Sequence, residues 1–250
     1  MNRGSDDAWS FLRGATAARI ALGRTGDSLP TKRVLEFQMA HALAQDAVST
    51  ALDVGAMARG LAELAPVIVT SRAETRQEYL QRPDLGRVLA EDSQRALTRG
   101  SYDISIVAAD GLSAGATAAH APALLRALQP YFRDLSLAPL IIATQARVAL
   151  GDEVAAALGA SLVIMLIGER PGLTSADSLG AYLTYAPRPG VTRDAERNCV
   201  SNIRPDGLPI EDAARLIASL VRLALARKLT GIALKPDEAL ALMAPRNSDQ

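Results

Sequence analysis

The residues best able to do chemistry lie late in the chain. Glu169 and Arg170 follow the most apolar run in the sequence, SLVIMLIG. A charged pair at the exit of a buried strand must be met by a loop, a ligand or a partner, because an unpaired charge there is costly. Spacing alone divides it evenly between an internal ion pair and a binding role. Cys199, the single cysteine, follows Glu196-Arg197-Asn198 in a turn-rich segment, where a lone buried thiol is most often a small packing residue. Asn198, Asn202 and Arg204 add hydrogen-bonding groups within a few residues, a set suited to an amide-rich ligand with many acceptors. Gly111-Leu112-Ser113 could present amides to an anion at a helix start, and a plain capping turn accounts for the same residues.

A self-sufficient catalyst is hard to assemble from these parts. Both histidines, His41 and His120, sit in Ala-rich helical patterns, and no G-x-S-x-G elbow is present to supply a nucleophile for a Ser/His/Asp arrangement. Neither a G-x-x-x-x-G-K-[ST] loop nor a G-x-G-x-x-G fingerprint occurs. One Cys and two His are too few for a His/Cys zinc site, and one Cys forms no intrachain disulfide, which suits a reducing compartment.

Composition narrows the classes further. The chain has 250 residues, 49% hydrophobic and 22% charged, enough for one or two globular domains. Lys+Arg 27 balance Asp+Glu 27, so no basic excess draws the protein to nucleic acid or an anionic membrane. No apolar run approaches the ~20 residues of a membrane span. Met1 to Ser10 (MNRGSDDAWS) lacks the cationic start and apolar stretch of a secretory signal, so a soluble protein inside the cell is expected.

Two segments must position these residues. Residues 11 to about 65 read as helical, because Leu35, Met39, Ala42 and Leu43 repeat at three- and four-residue spacing behind Pro30-Thr31, with the threonine as a cap. From Val67 the pattern changes. PVIVTSR, YDISIVAADG (102–111), APLIIATQAR (138–147) and SLVIMLIGER (161–170) are short β-branched runs, each predicted to be a strand buried on both faces. Helices are predicted near Ser113 to His120, from Pro122 onward with Leu124, Leu125, Leu128 and Phe132 on one face, from Asp152 to Leu158, and from Ile210 to Lys228. The division at Pro122 rests on proline's preference for a first turn. Alternating strands and helices imply parallel pairing through right-handed crossovers, hence an α/β fold with a doubly wound, mostly parallel sheet behind an N-terminal helical segment. The domains expected are residues 1–65 and 66–250. Arg170 to Pro205, with four prolines and three glycines, reads as a long functional loop. Asp110-Gly111, Gln145 to Val148 and Gly168 to Arg170 are then three strand exits on one rim, where ligands of open α/β sheets bind.

With these residues in place the sequence resembles a known family nearly end to end. ARIALGRTGDSLPT (18–31), FQMAHALAQDAV (37–48), YLQRPDLGRVL (79–89), VAADGLSAGA (107–116), ARVALGDEVA (146–155), IGERPGLTSADSLGAYLTYAPRPG (167–190) and ERNCVSNIRPDGL (196–208) are similar to the small (light) subunit of ethanolamine ammonia-lyase. GERPGL and NCVSNI are its most specific motifs. The resemblance implies a Rossmann-like α/β subunit that closes over adenosylcobalamin (the vitamin B12 coenzyme) at the interface with a large TIM-barrel subunit. That large subunit binds most of the ethanolamine, which becomes acetaldehyde and ammonia by a radical route. It also implies cofactor contacts at Val148, Glu169 and Cys199. Glu169 would accept hydrogen bonds from corrin amides or a sugar hydroxyl, and Val148 and Cys199 would offer main-chain groups and apolar contact. The Arg170 to Pro205 loops are the expected docking face.

Neither His41 nor His120 fits an Asp-x-His-x-x-Gly cobalt ligand, which agrees with the base-on cofactor of the family and with no catalytic or metal-ligating residue in this chain. The expected location is cytoplasmic. Encapsulation in a bacterial microcompartment stays open, because the start is short and polar where some members carry an extension. Gly115 and Thr117 depart from the bulkier aliphatics expected there, with a cost of up to ~1 kcal/mol in one helix.

Overall fold

The computed structural model describes residues 9–16 and 18–234. Residues 1–8 of the polar start and 235–250 of the expected α/β domain lie outside the described residues. Three helices come first: α1 (Ser10–Ala15), α2 (Thr31–Ser49) and α3 (Val54–Gly60). Then follow β1 (Val67–Thr70), α4 (Arg76–Gln81), α5 (Glu91–Ala96), β2 (Tyr102–Ala109), α6 (Ala114–Leu128) and β3 (Ile141–Thr144). The chain continues through α7 (Leu150–Leu158), β4 (Ala160–Gly168), β5 (Leu179–Tyr185), β6 (Asn198–Ile203) and α8 (Ile210–Arg227).

The strands form one mixed sheet in the order β1-β3-β2-β4-β5-β6. The four apolar runs predicted as strands are its parallel part, and β5 and β6 extend it antiparallel beyond β4. Side chains alternate between two cores, as the period of a strand requires. Ile104, Ala108, Ile142, Ile164 and Leu166 pack with α3, α6 and α8, whereas Val107, Ala109, Ile141, Val163 and Met165 pack with α7. Each fully buried Leu, Ile or Val stabilises by about 1.5–3 kcal/mol, so burial on both faces fixes the strand register. The best helical pattern in the sequence is observed as α8, with Ala214, Ile217 and Val221 buried and Glu211, Arg215 and Arg222 exposed.

Several expectations need correction. β1 is an edge strand with Ile68 half-exposed, so it is not buried on both faces. Helix does not run through 18–30; this stretch is irregular, with a bridge between Thr25 and Ser28. Pro30, not Thr31, holds the cap position of α2, and no side chain caps it. α6 passes unbroken through Pro122. The amide that Pro122 lacks would have bonded the Ala118 carbonyl, and Ala118 is an exposed residue of the helix. The Arg170 to Pro205 stretch is not one loop, since it contains β5 and β6. Thr117 is buried and donates through Oγ1 to the Ala109 carbonyl at 2.7 Å, tying α6 to β2 in a way no aliphatic could.

The turns leaving β2 and β4 cross in near contact. A Cβ on Gly168 would lie 2.0 Å from the Ser113 carbonyl oxygen, whereas one on Gly115 would meet nothing within 4 Å. Gly168→Ala should therefore lower the unfolding free energy by ~2 kcal/mol or more, and Gly115→Ala should raise it by up to ~1 kcal/mol. Urea denaturation of the two variants checks the contrast.

Candidate functional site

The carboxyl ends of β1, β3, β2 and β4 share one rim, and Asp110 organises it. Burial of this side chain is nearly complete, and its oxygens accept three backbone amides. Oδ1 takes Gly111 N–H at 2.8 Å and Ala146 N–H at 3.0 Å, and Oδ2 takes Gln145 N–H at 2.8 Å. The β2 exit is thereby fastened to the β3 exit, with Gln145 held in the left-handed region at φ 53°. Arg76 approaches Oδ2 at 3.4 Å and donates to the Gly111 carbonyl at 2.8 Å. Its guanidinium and that of Arg147 lie over the Tyr79 ring, at 4.7 and 4.2 Å from the centroid. Tyr79 is buried, its hydroxyl donates to the Ala146 carbonyl at 3.0 Å, and burial pushes its pKa to about 12.

Val148 and Glu169 lie on this rim. Val148 is half-buried beside Arg147, just before α7. Glu169 follows β4; its N–H donates to the Ser178 carbonyl, and Oε2 accepts the Asn202 amide at 3.0 Å. Asn202 has φ 57° and so turns its amide toward Glu169 as β6 ends. Gly180 makes room for this, since a Cβ there would lie 3.0 Å from Glu169 Oε1. Of the two readings left open for Glu169 and Arg170, the internal ion pair is not seen among the described residues: the carboxylate is met by the backbone amide of Asn202 in β6, while Arg170 is exposed.

Cys199 is exposed rather than a buried packing residue. It pairs with Tyr182 across the β5–β6 ladder. Desolvation pushes the thiol pKa up against the opposing pull of the Tyr182 hydroxyl, and the Glu169 carboxylate adds to the rise. Tyr182 is likewise pushed above its ordinary value by burial, and then by Cys199. At neutral pH both groups stay protonated, so they offer hydrogen bonds and contact surface rather than a nucleophile.

Two clefts open beside these residues, of about 200 and 710 Å³, and both include Arg147, Val148 and Tyr182. The smaller reaches Glu169 and the larger reaches Arg87, Arg193 and Arg197. An apolar cavity of about 520 Å³ lies at the opposite end of the strands, around Val67, Phe132 and Leu140, away from all three predicted contacts.

Other candidates are structural. Ser113 caps α6 through the Ala116 amide, while the Gly111 and Leu112 amides go to Asp110 Oδ1 and the Gly168 carbonyl. The Gly111 and Leu112 amides are therefore taken, and the turn reads as a cap. Asn198 is buried and binds Gly231 and Leu234 at 2.8–3.2 Å, so it anchors the chain after α8 and does not face a ligand. His120 holds the Asp177 carbonyl at 2.9 Å, and His41 stacks on Phe37.

Sequence reasoning missed Asp152 and Arg197, a buried pair with two contacts of 2.6 and 2.7 Å, joined by Thr184. The pair ties α7 to the antiparallel extension, and Arg197 lines the larger cleft. Burial raises the Asp152 carboxyl, and Arg197 draws it back. An unexplained Arg beside the NC motif was the only local signal, because the two partners lie 45 residues apart.

The fold and site define a class: an α/β protein with a mixed six-stranded sheet, whose rim offers hydrogen-bonding groups around open clefts. Residues 6–235 match the family model described as ethanolamine ammonia-lyase light chain, and the chain belongs to that family. It is 51% identical over 236 residues to an ethanolamine ammonia-lyase small subunit of Rhodopseudomonas palustris, covering 92% of this chain and 90% of the relative. The small subunits of Rhodococcus erythropolis (52%; 92% and 90% covered) and Xanthomonas campestris (51%; 93% and 89% covered) are similarly close. The chain is thus the small subunit of a lyase complex of ethanolamine catabolism, and a small subunit implies a large one. Among the described residues no helix is long and apolar enough to cross a membrane.

Burial pushes the Asp110 carboxyl above the usual carboxylate range, against the pull of Ala146, Gln145, Arg76 and Gly111. A folded pKa above the unfolded ~3.9 means that this group's contribution is full below about pH 4 and is lost as pH rises through the folded value. Asp110→Asn turns an amide donor toward backbone donors and should cost ~1–3 kcal/mol. The gap between wild type and variant should be widest near pH 4 and narrow above it. Chemical denaturation from pH 4 to 8 checks this, and a gap independent of pH contradicts it.

Proposed function

We propose that this chain is the cofactor-contacting small subunit of an adenosylcobalamin-dependent ethanolamine ammonia-lyase. On this reading it closes over the cofactor where it meets a large TIM-barrel subunit, and ethanolamine is converted to acetaldehyde and ammonia. The supporting observation is that Val148 and Glu169 meet Tyr182, the cross-strand partner of Cys199, around the clefts of one rim. Its core is read as Rossmann-like and doubly wound, since helices cover both faces of the parallel strands. We take 1–65 as an N-terminal helical segment and 66–250 as the cofactor-contacting domain, in a cytoplasmic protein that a microcompartment could also house.

The residues present fit such a ligand. Arg147 Nε and Gln145 Oε1 are buried at the rim without a hydrogen-bond partner, and a ligand rich in amides, hydroxyls and a phosphodiester supplies both acceptors and donors. When bound base-on, adenosylcobalamin supplies the radical chemistry. Glu169 accepts hydrogen bonds from the ligand's amides or sugar hydroxyl with the oxygen that Asn202 leaves free. Val148 and Cys199 add main-chain groups and apolar contact, and desolvation keeps the Cys199 thiol in its protonated form. Together with the large subunit these walls exclude water from the reacting centre.

The isolated chain should be inactive and should restore activity when combined with a large subunit and adenosylcobalamin. In that complex Glu169→Gln keeps an acceptor for Asn202 but loses the charge, which should weaken cobalamin binding by ~10-fold or more. Titration of the assembled enzyme with cobalamin measures the change. Unaltered affinity and turnover would remove Glu169 from the site, and deamination by the isolated chain would overturn the reading as a whole.

A further inference from the structure

The N-terminal layer is amphipathic in a direction that its own chain does not satisfy. Leu35, Met39, Ala42 and Leu43 form a stripe on α2, yet Leu35 is 58%, Met39 64% and Leu43 54% exposed. The side of α2 turned toward α6 carries small residues, Ala40, Ala44 and Ala47, and none of the 19 residues of this helix is buried. In proteins most helical stability comes from packing an amphipathic face, and here the apolar face is the outer one. Three large apolar side chains exposed by half or more on one face leave roughly 300 Å² of apolar surface, the size of the largest patch on a typical monomer, ~300–600 Å².

We propose that the outer face of α2 is a docking surface for the large subunit, the same partner that closes over the rim. α2 and the rim are continuous. Arg76 donates to the Val48 carbonyl near the end of α2 and to the Gly111 carbonyl on the rim, each at 2.8 Å. Arg19, just before α2, lies 3.4 Å from the Leu173 carbonyl in the loop after β4. A subunit seated on the rim therefore meets α2 at its edge, and in this respect the inference rests on the cofactor reading. The three- and four-residue spacing of the stripe suits an apolar helix or groove of the partner. Charge argues against a membrane: α2 carries Lys32 and Arg33 but also Glu36 and Asp46, without the basic excess of helices that bind anionic lipid.

The test uses the full chain with the large subunit. Leu35→Asp/Met39→Asp should raise the Kd of the subunit complex at least ~100-fold while the thermal midpoint of the isolated chain stays unchanged. In wild type, hydrogen exchange of the α2 amides should slow on complex formation, and this decides the matter should the variant fail to fold. Subunit affinity within twofold of wild type, or α2 amides that exchange as fast in the complex, overturns the proposal. So does a wild-type dimer that the variant makes monomeric, which assigns the face to a second copy, or binding of the isolated chain to phosphatidylglycerol vesicles that the variant abolishes. Glu169→Gln separates the two readings, because it should alter cobalamin affinity and leave subunit affinity intact. If the α2 variant keeps subunit affinity while Glu169→Gln weakens cobalamin binding, only the docking inference fails. If cobalamin binding ignores Glu169 while the α2 variant dissociates the complex, only the cofactor site fails.

Discussion

One buried carboxylate holds the functional rim together. Asp110 ends β2 and gathers the amides of Gly111, Gln145 and Ala146, so two loops that would otherwise vary independently are fixed to one acceptor. A backbone amide buried without a partner costs about 1–3 kcal/mol, and three such donors converging on one side chain make this arrangement hard to replace. Everything downstream follows from it. Arg147 leaves the fixed turn to stack on Tyr79, Val148 comes next in sequence, and the β4 exit, crossing against Gly111, brings Glu169 alongside.

The antiparallel extension completes what the parallel strands begin. β5 and β6 return from the rim and carry Tyr182 and Cys199 into the same neighbourhood, with the Asp152–Arg197 pair locking them to α7. Pairing of this kind in the interior is weak evidence for stability, because desolvation offsets much of the attraction; its geometric effect is to fix Arg197 in the lining of the larger cleft. The thiol and phenol, both raised above their ordinary values, offer hydrogen bonds and contact surface rather than a nucleophile.

Much of this was legible in the residues. The four apolar β-branched runs became the four parallel strands, the Ile210 stripe became α8, and the three exits met on one rim as the ligand rule for open α/β sheets requires. What escaped has physical causes. Leu179, Ala181 and Leu183 of β5 do alternate inward, but prolines and glycines on either side hide a pattern only seven residues long. Asp110 and Asp152 look like ordinary acidic residues, since their partners lie 34 to 45 positions away. Pro122 reads as a break because a sequence does not show that the turn before it, at Ala118, is exposed. The α2 stripe was read from its spacing, but spacing gives a face and not what covers it.

The central claim is that cobalamin sits against Val148, Glu169 and Cys199 in the assembled enzyme. Cys199 is the sole cysteine of this chain and is exposed, so its alkylation reports directly on that position. Maleimide labelling of Cys199, followed by peptide mass spectrometry in the subunit complex with and without cobalamin, is the most direct measurement. The account predicts labelling slowed by ~10-fold or more when cobalamin is bound, as expected for a site occupied nearly all the time. Equal rates with and without saturating cobalamin would contradict it.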